Sequence, residues 1–211
     1  VGAVMANAHI GSEVKWFSTI RGNDSNTGWF YVFLTYLMIL MARFHGLKFP
    51  FPKYVPLDDV QLIVNVIAGM LRDENGVVMS STTSKCVRIS VYAQKHGIDL
   101  TGLTIFGQSE PSTSAKVALI EASGAKFLNW YGTTETSEVG LPCRNPVDHT
   151  DVHFTSNHLA MIQRPKEVFD ETVNAFHFTT LLPINPKTLL NVQLDDFGIV
   201  EERNCGCLLY D

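Results

Sequence analysis

The segment with the most evident chemical potential is residues 129–135, where two hydroxyls and a carboxylate stand side by side in the sequence. Residues 125–128 form an apolar run that predicts a strand, and a glycine then predicts a turn. The hydroxyls of Thr133 and Thr134 can donate to phosphate oxygens, and the carboxylate of Glu135 can hold Mg²⁺. The same residues also suit an ordinary helix N-cap, so on its own the segment leaves both interpretations open.

A second group of residues has the chemistry of a metal site. Cys205 and Cys207 are separated by one residue, which forces two thiolates close together, and Cys143 with His153 would complete a tetrahedral zinc site. Four protein ligands would leave no open position, so the zinc would be structural. His149 competes with His153, which we prefer because it begins a predicted strand. The alternative is a set of buried thiols with solvent-facing histidines.

The elements between residues 77 and 130 predict a parallel sheet. Strands and helices alternate with short connections, which favours right-handed crossovers. The predicted segments are strand 77–79, helix 84–96, strand 103–106, helix 112–123 and strand 126–130. Ligands bind beyond the carboxyl ends of such strands, so the loops near 79–80, 107–110 and 131–135 should converge on one crevice. Its apolar wall would include Phe106 and Trp130.

The pattern changes after residue 142 and becomes β-rich. Alternating segments predict strands at 151–154, 158–163, 176–181, 188–193 and 198–202, in an antiparallel or mixed sheet. The sequence therefore predicts an α/β fold, with a parallel sheet and flanking helices followed by a smaller β-rich unit. We place the first domain at residues 1–145 and the second at residues 146–211.

Composition restricts the function classes. The chain has 211 residues, 45% of them hydrophobic, and a net charge of −5 without a Lys/Arg cluster, which argues against a nucleic-acid surface. The longest apolar run, residues 29–42, is too short to span a bilayer and predicts a helix over 27–45 that is deeply buried or covers a partner. The sequence shows no signal peptide, and four cysteines with this spacing suit a reducing compartment, so we expect a cytoplasmic protein.

Several short segments, taken in order, resemble one family. Tyr131-Gly132-Thr133-Thr134-Glu135 resembles the Tyr-Gly-x-Thr-Glu signature of the adenylate-forming superfamily, the acyl- and aryl-CoA ligases. Glu110-Pro111 resembles its Gly-Gly-Glu-Pro segment, and residues 190–198 resemble its Thr-Gly-Asp segment. Cys205-Gly206-Cys207 is similar to the end of this region in the phenylacetate-CoA ligase-like branch. The resemblance extends over roughly residues 11–207 and implies part of an adenylate-forming N-terminal domain.

The resemblance implies a role for each matching residue, with ATP or AMP and Mg²⁺ as cofactors. Thr134 and Glu135 would be catalytic, Thr134 contacting the α-phosphate and Glu135 the Mg²⁺. Tyr131 would flank the adenine, Asp196 would bind the ribose hydroxyls, and Lys15 would face the outer phosphates. The remaining nucleotide-binding positions implied by the family are Ser109, Glu110, Gly132 and Thr133.

Departures from the family motifs predict weak nucleotide binding. The family's Gly-Gly-Glu-Pro has become residues 108–111, Gln-Ser-Glu-Pro, and its Thr-Gly-Asp has become residues 194–196, Leu-Asp-Asp. Only Gly11, Ser12 and Lys15 remain of a phosphate loop, and a plain turn there is the alternative. Without the family context, Asp196 would be taken for a turn residue.

The expected function is that of an adenylate-forming ligase-like protein, which activates an aryl or acyl carboxylate with ATP. The resemblance implies a truncated chain that lacks the family's C-terminal lysine domain and has weak or no ligase activity alone. One alternative is a non-catalytic protein that sequesters a small aromatic carboxylate. Another is one part of a split ligase, with a homo-oligomer or a separate chain carrying the lysine domain as partner. We expect no nucleic-acid or membrane partner.

Overall fold

The computed structural model describes residues 3–7, 14–19, 28–56 and 58–207. Within these ranges the protein is mixed α/β, with one six-stranded sheet, two three-stranded antiparallel sheets and four helices. The chain divides into two compact units, Val1–Leu128 and Asn129–Asp211. Gly11 and Ser12, which we expected in a phosphate loop, lie outside the described residues.

The first unit contains the six-stranded sheet and the four helices. Its strands are β1 (Ala3–Asn7), β2 (Lys15–Ser18), β3 (Lys53–Tyr54), β4 (Val77–Thr82), β5 (Leu103–Gln108) and β6 (Lys126–Asn129), in the order β3-β2-β1-β4-β5-β6. The helices are α1 (Gly28–Phe44), α2 (Gln61–Asp73), α3 (Thr83–Lys95) and α4 (Ser114–Glu121). The β4-α3-β5-α4-β6 order agrees with the predicted alternation of strands and helices.

The sheet is mixed, not parallel throughout. β4 and β5 pair in parallel, as the short helical crossover between them requires. β1, which lies outside the residues 77–130 for which a parallel sheet was predicted, runs antiparallel to both of its neighbours, β2 and β4, so the sheet as a whole is mixed. The direction of a strand depends on which strand it pairs with, and its own sequence does not specify that.

The core of the first unit lies where the sheet meets α2 and α3. In β4 and β5 every second side chain is buried, the pattern of a strand with one face in the core. α2 buries Ile63, Val64 and Ile67, a spacing that places them on one face of the helix. Cys86 of α3 is fully buried in the same core, which is typical of a structural cysteine.

The apolar helix α1 is present where the sequence predicted it, but in this structure it is mostly exposed. Only Gly28 and Ile39 are buried, while Trp29 is 63% and Phe44 is 89% exposed. The expectation of deep burial is therefore not met among the described residues. In these parts of the chain, every helix falls short of the length and apolar character that a membrane-crossing helix requires.

In its described residues, up to Cys207, the regular secondary structure of the second unit consists of strands. One sheet contains β7 (Tyr131–Thr133), β8 (Ser137–Pro142) and β9 (Val152–Phe154), and the other contains β10 (Leu159–Val168), β11 (Glu171–Thr180) and β12 (Val192–Phe197). All pairs within these two sheets are antiparallel. The core of the unit is formed by Val139, Leu159, Phe178 and Leu189. This confirms a smaller β-rich part of the chain.

The position of the last strand differs from the prediction. We expected strands at 188–193 and 198–202, whereas β12 occupies Val192–Phe197. The register of β11 against β12 shifts between Ala175 and His177, and Asp195 has a φ of +65°. The strand therefore continues through Asp196, for which a turn was the alternative, with an irregularity in its pairing.

Candidate metal centre

The β8–β9 pair and the segment after β12 bring together the predicted metal ligands. Cys143 directly follows β8, and His153 is the middle residue of β9, opposite Leu141. Cys205 and Cys207 lie in the segment that follows β12 and has no regular secondary structure. The ligand atoms of these four residues all lie within 4.8 Å of one another, so the cluster can hold a metal ion.

Two of the distances between ligand atoms are close to the edges of a tetrahedral zinc site. The Sγ atoms of Cys143 and Cys207 are 3.7 Å apart, and Cys205 Sγ is 3.4 Å from His153 Nε2. Bonds of about 2.3 Å to sulfur and about 2.05 Å to nitrogen at tetrahedral angles give edges of about 3.8 and about 3.6 Å. All four cysteines of the chain are free thiols. The imidazole in the cluster belongs to His153 rather than His149.

A glycine turn sets the geometry of the Cys-x-Cys segment. Gly206 has a φ of +70°, a left-handed conformation that a residue with a Cβ adopts at a cost. The turn directs the Cys207 N–H to Cys205 Sγ at 3.4 Å, and the Arg144 N–H donates to Cys207 Sγ at 3.3 Å. Backbone N–H groups aimed at sulfur stabilise the thiolate, which is the form that binds metal.

The pKa values of Cys143 and Cys207, whose Sγ atoms are 3.7 Å apart, shift in opposite directions. Hydrogen bonding with Cys205, and then with His153, lowers the pKa of the Cys207 thiol to about 6. Burial raises the pKa of the Cys143 thiol to about 11. Cys207 is therefore poised to ionise first, and a cation in the cluster would favour the thiolate at Cys143 as well.

Charged and polar side chains surround the cluster. Arg203 forms an ion pair with Asp151, and its Nη1 donates to the carbonyl of Asn145 at 3.3 Å. Its Nη2 also lies 3.9 Å from the Sγ of Cys143. The Asn145 side chain donates to the carbonyl of Cys205 at 2.9 Å. These contacts connect the loop after β8 to the cysteine segment.

Among the residues predicted to bind nucleotide, Tyr131 and Asp196 are in contact. The Tyr131 hydroxyl donates to Asp196 Oδ2 at 2.6 Å. Burial raises the pKa of Tyr131 well above its ordinary value, and the hydrogen bond to charged Asp196 raises it further. The bond occupies Oδ2 of the carboxylate and leaves the ring of Tyr131 packed against the core of the second unit.

The Thr-Thr-Glu segment forms a turn between β7 and β8. The Thr133 hydroxyl accepts the Thr136 N–H at 3.1 Å and shares a hydrogen bond of 2.9 Å with the Thr136 hydroxyl. Thr134 is exposed, and Glu135 Oε1 forms an ion pair of 3.3 Å with Lys187. Thr133 and Glu135 thus have partners within the protein. A nucleotide or Mg²⁺ would have to share or displace these partners.

Gly132 is required by a close approach of backbone. A Cβ at this position would lie 2.5 Å from the Ser137 carbonyl oxygen, inside contact distance. The β7–β8 register also shifts between Tyr131 and Gly132. The close approach of the Ser137 carbonyl therefore explains why glycine occupies this position, whether or not Gly132 also contacts a ligand.

The predicted nucleotide residues of the first unit have structural contacts of their own. Glu110 accepts the backbone N–H of Ser84 and its hydroxyl, the latter at 2.7 Å, and so caps the first turn of α3. Lys116 lies 3.4 Å from the same carboxylate. Burial favours protonation of Glu110, but the hydrogen bonds from Ser84 and the charge of Lys116 outweigh it and hold its pKa below the ordinary value. Lys15 lies at the start of β2, opposite Ala6.

Two residues at positions where the resemblance implies glycine have left-handed backbone. Ser109 has a φ of +67° and Asp195 has a φ of +65°. Such values are uncommon for residues with a Cβ. The resemblance implies glycine at both positions, but their conformation was not predicted.

The sequence did not reveal the polar residues that hold the site residues in place. Arg203, Asp151, Lys187 and Ser84 were not among the predicted site residues, although each contacts one or supports its neighbour. The one available signal was the position of Arg203, two residues before the Cys-x-Cys segment. A comparison with models of known protein families finds no match, and a search of curated proteins finds no matching sequence.

Proposed function

We propose that the second unit binds one zinc ion through Cys143, His153, Cys205 and Cys207. The observation that carries this proposal is the set of four ligand atoms within 4.8 Å of one another. Three thiolates and an imidazole are a typical zinc donor set, whereas Mg²⁺ and Ca²⁺ take oxygen ligands and iron–sulfur clusters usually take four cysteines. Four protein ligands complete the coordination of zinc, so its role here is structural.

The zinc would cross-link the segment after β12 to the β8–β9 region, in addition to the hydrogen bonds that already connect them. Cys205 and Cys207 lie in a segment without regular secondary structure, while Cys143 and His153 belong to the β8–β9 region. A metal bond between the two parts restrains the segment after β12. Since the unfolded chain offers no preformed site, the free energy of metal binding becomes folding free energy of the second unit.

Metal content of matched cysteine variants tests the proposal. The full chain, purified without chelator, should contain about one zinc per molecule. Cys205→Ser should lose it, while Cys86→Ala, which changes a buried cysteine of the first unit, should retain it. Equal zinc content in both variants, or none in the wild type, would rule out this site.

A second candidate function is the ATP-dependent activation of a carboxylate, as in the adenylate-forming ligases. The observation that favours it is that Ser109 and Asp195, at two positions where the resemblance implies glycine, have the left-handed backbone that glycine adopts most readily. Ser137, Phe169, Asp170 and Asn191 share this backbone at positions where the resemblance implies no glycine.

The contacts of the other predicted residues support binding that is weak. Tyr131 and Asp196, which the resemblance assigns to the adenine and the ribose, are hydrogen bonded. Glu135 would have to share its carboxylate between Mg²⁺ and Lys187, or give up the ion pair. The residues therefore fit a nucleotide in part, and a small aromatic carboxylate, which needs no metal, is the ligand we expect to bind better.

Thermal-shift measurements with ATP, Mg²⁺ and a panel of aryl acids separate the ligase from the binding protein. A ligand that binds only the folded state raises the melting temperature. Stabilisation by an aryl acid alone supports a sequestering protein, and exchange of pyrophosphate into ATP supports the ligase. No response to either ligand class would contradict both, without affecting the zinc proposal.

A further inference from the structure

Arg203 is the side chain that contacts both a metal ligand and the loop that carries it. Its guanidinium lies among three acceptors: the carboxylate of Asp151, the carbonyl of Asn145 at 3.3 Å and the Sγ of Cys143 at 3.9 Å. Arg203 is partly buried, so water screens these contacts less than it would on an open surface. The planar fork of arginine can satisfy several acceptors at once, which the single ammonium of lysine cannot do with the same geometry.

We propose that Arg203 is the positioning residue of the metal centre, which holds Cys143 in place and balances the charge of its thiolate. The proposal rests on the zinc site proposed above. Three thiolates and a neutral imidazole around a divalent ion leave a net charge of minus one. A guanidinium beside one of the sulfurs stabilises that charge, and Asp151 fixes the guanidinium in its position.

The same side chain also connects the two parts of the site without the metal. Arg203 lies on the cysteine segment, and its partners Asp151 and Asn145 lie on the loop between β8 and β9. Asn145 in turn donates to the carbonyl of Cys205. This network gives the ligands much of their arrangement before metal binds, so less order has to be gained when the ion enters.

A cobalt titration of the full chain, followed by competition with zinc, tests the proposal. Arg203→Met removes the charge and the donors while keeping most of the length of the side chain. Arg144→Met is the matched control, because Arg144 reaches Cys207 through its backbone N–H, which the substitution preserves. We expect Arg203→Met to bind zinc about tenfold to a hundredfold more weakly than wild type. Arg203→Lys should be intermediate and Arg144→Met unchanged.

The absorption of the cobalt-loaded protein distinguishes charge balance from a merely structural effect. A cation beside a thiolate stabilises the sulfur electrons, so its removal should shift the sulfur-to-cobalt charge-transfer band to lower energy. Such a red shift is expected in Arg203→Met, with partial recovery in Arg203→Lys. If Arg203→Met does not fold, Arg203→Lys alone decides: weaker binding with a red shift supports the proposal, and wild-type behaviour overturns it.

The outcomes separate this inference from the zinc site on which it rests. Absence of cobalt and zinc binding in the wild type would overturn both. Tight wild-type binding that Cys205→Ser abolishes, together with an Arg203→Met variant of unchanged affinity and spectrum, would overturn the role of Arg203 alone.

Discussion

The cap that Glu110 provides to α3 leads to a quantitative prediction. Glu110 accepts two hydrogen bonds from Ser84, one from its backbone N–H and one from its hydroxyl, and its side chain is 26% exposed. An N-cap interaction contributes about 0.5–2 kcal/mol, and a carboxylate at a helix N-terminus adds about 0.3–1 kcal/mol. Glu110→Ala should therefore lower the free energy of unfolding of the first unit by about 1–2 kcal/mol.

The pH dependence of this effect follows from the lowered pKa of Glu110. The folded state favours the ionised carboxylate, so its stabilisation is present above the ordinary glutamate pKa of about 4.3. It is lost as the pH falls through the lower pKa of the folded state. Glu110→Gln retains an acceptor for the Ser84 N–H but no charge, so it should be less destabilising than Glu110→Ala, and its difference from wild type should vanish in acid.

Urea denaturation followed by far-UV circular dichroism, with hydrogen exchange of the α3 amides, measures both effects. Glu121→Gln, an exposed position at the end of α4, is the control and should change stability by less than about 0.5 kcal/mol. The capping role would be refuted if Glu110→Ala had wild-type stability near neutral pH, or if α3 exchanged no faster.

Three further changes have expected outcomes. Gly132→Ala should destabilise the second unit by about 1–3 kcal/mol in thermal unfolding, because its Cβ would lie 2.5 Å from the Ser137 carbonyl oxygen. Gly206→Ala should weaken zinc binding about tenfold in a competition titration, because it forces alanine into a left-handed turn at a cost of about 1–2 kcal/mol. Asp196→Asn should lower the pKa of Tyr131, because the phenol loses its charged acceptor. Alkaline absorbance titration against Tyr131→Phe should detect that shift, and an unchanged pKa would contradict the assigned contact.

The sequence could predict the members of the metal cluster because the cluster is indicated by residue types and by the short spacing of two cysteines. Cys205 and Cys207 are close in any conformation, and few other residues could complete a thiolate site. Arg203 could not be predicted, since its role depends on how the segment after β12 meets the loop between β8 and β9. Side chains that arrange ligands have no fixed spacing from them.

The capping role of Glu110 could not be predicted, because it depends on a partner that is distant in the sequence. A carboxylate after a strand suits both a ligand site and a helix cap, and the partner that gives it a cap is Ser84, 26 residues earlier in the chain. β4 and β5 were predictable as short strands between helices, and the structure adds that every second side chain in them is buried. The antiparallel direction of β1 and the register shift between β11 and β12 depend on pairing partners, which a strand's own sequence does not specify.

X-ray absorption at the zinc edge is the most direct test of the metal centre. The proposed site should give three sulfurs at about 2.3 Å and one nitrogen at about 2.0–2.1 Å around the zinc in the wild-type chain. In His153→Ala the nitrogen contribution should fall or be replaced by oxygen, while in His149→Ala the spectrum should be unchanged. A shell of oxygen and nitrogen without sulfur, or a spectrum that responds to His149 instead of His153, would contradict the Cys143, His153, Cys205 and Cys207 site.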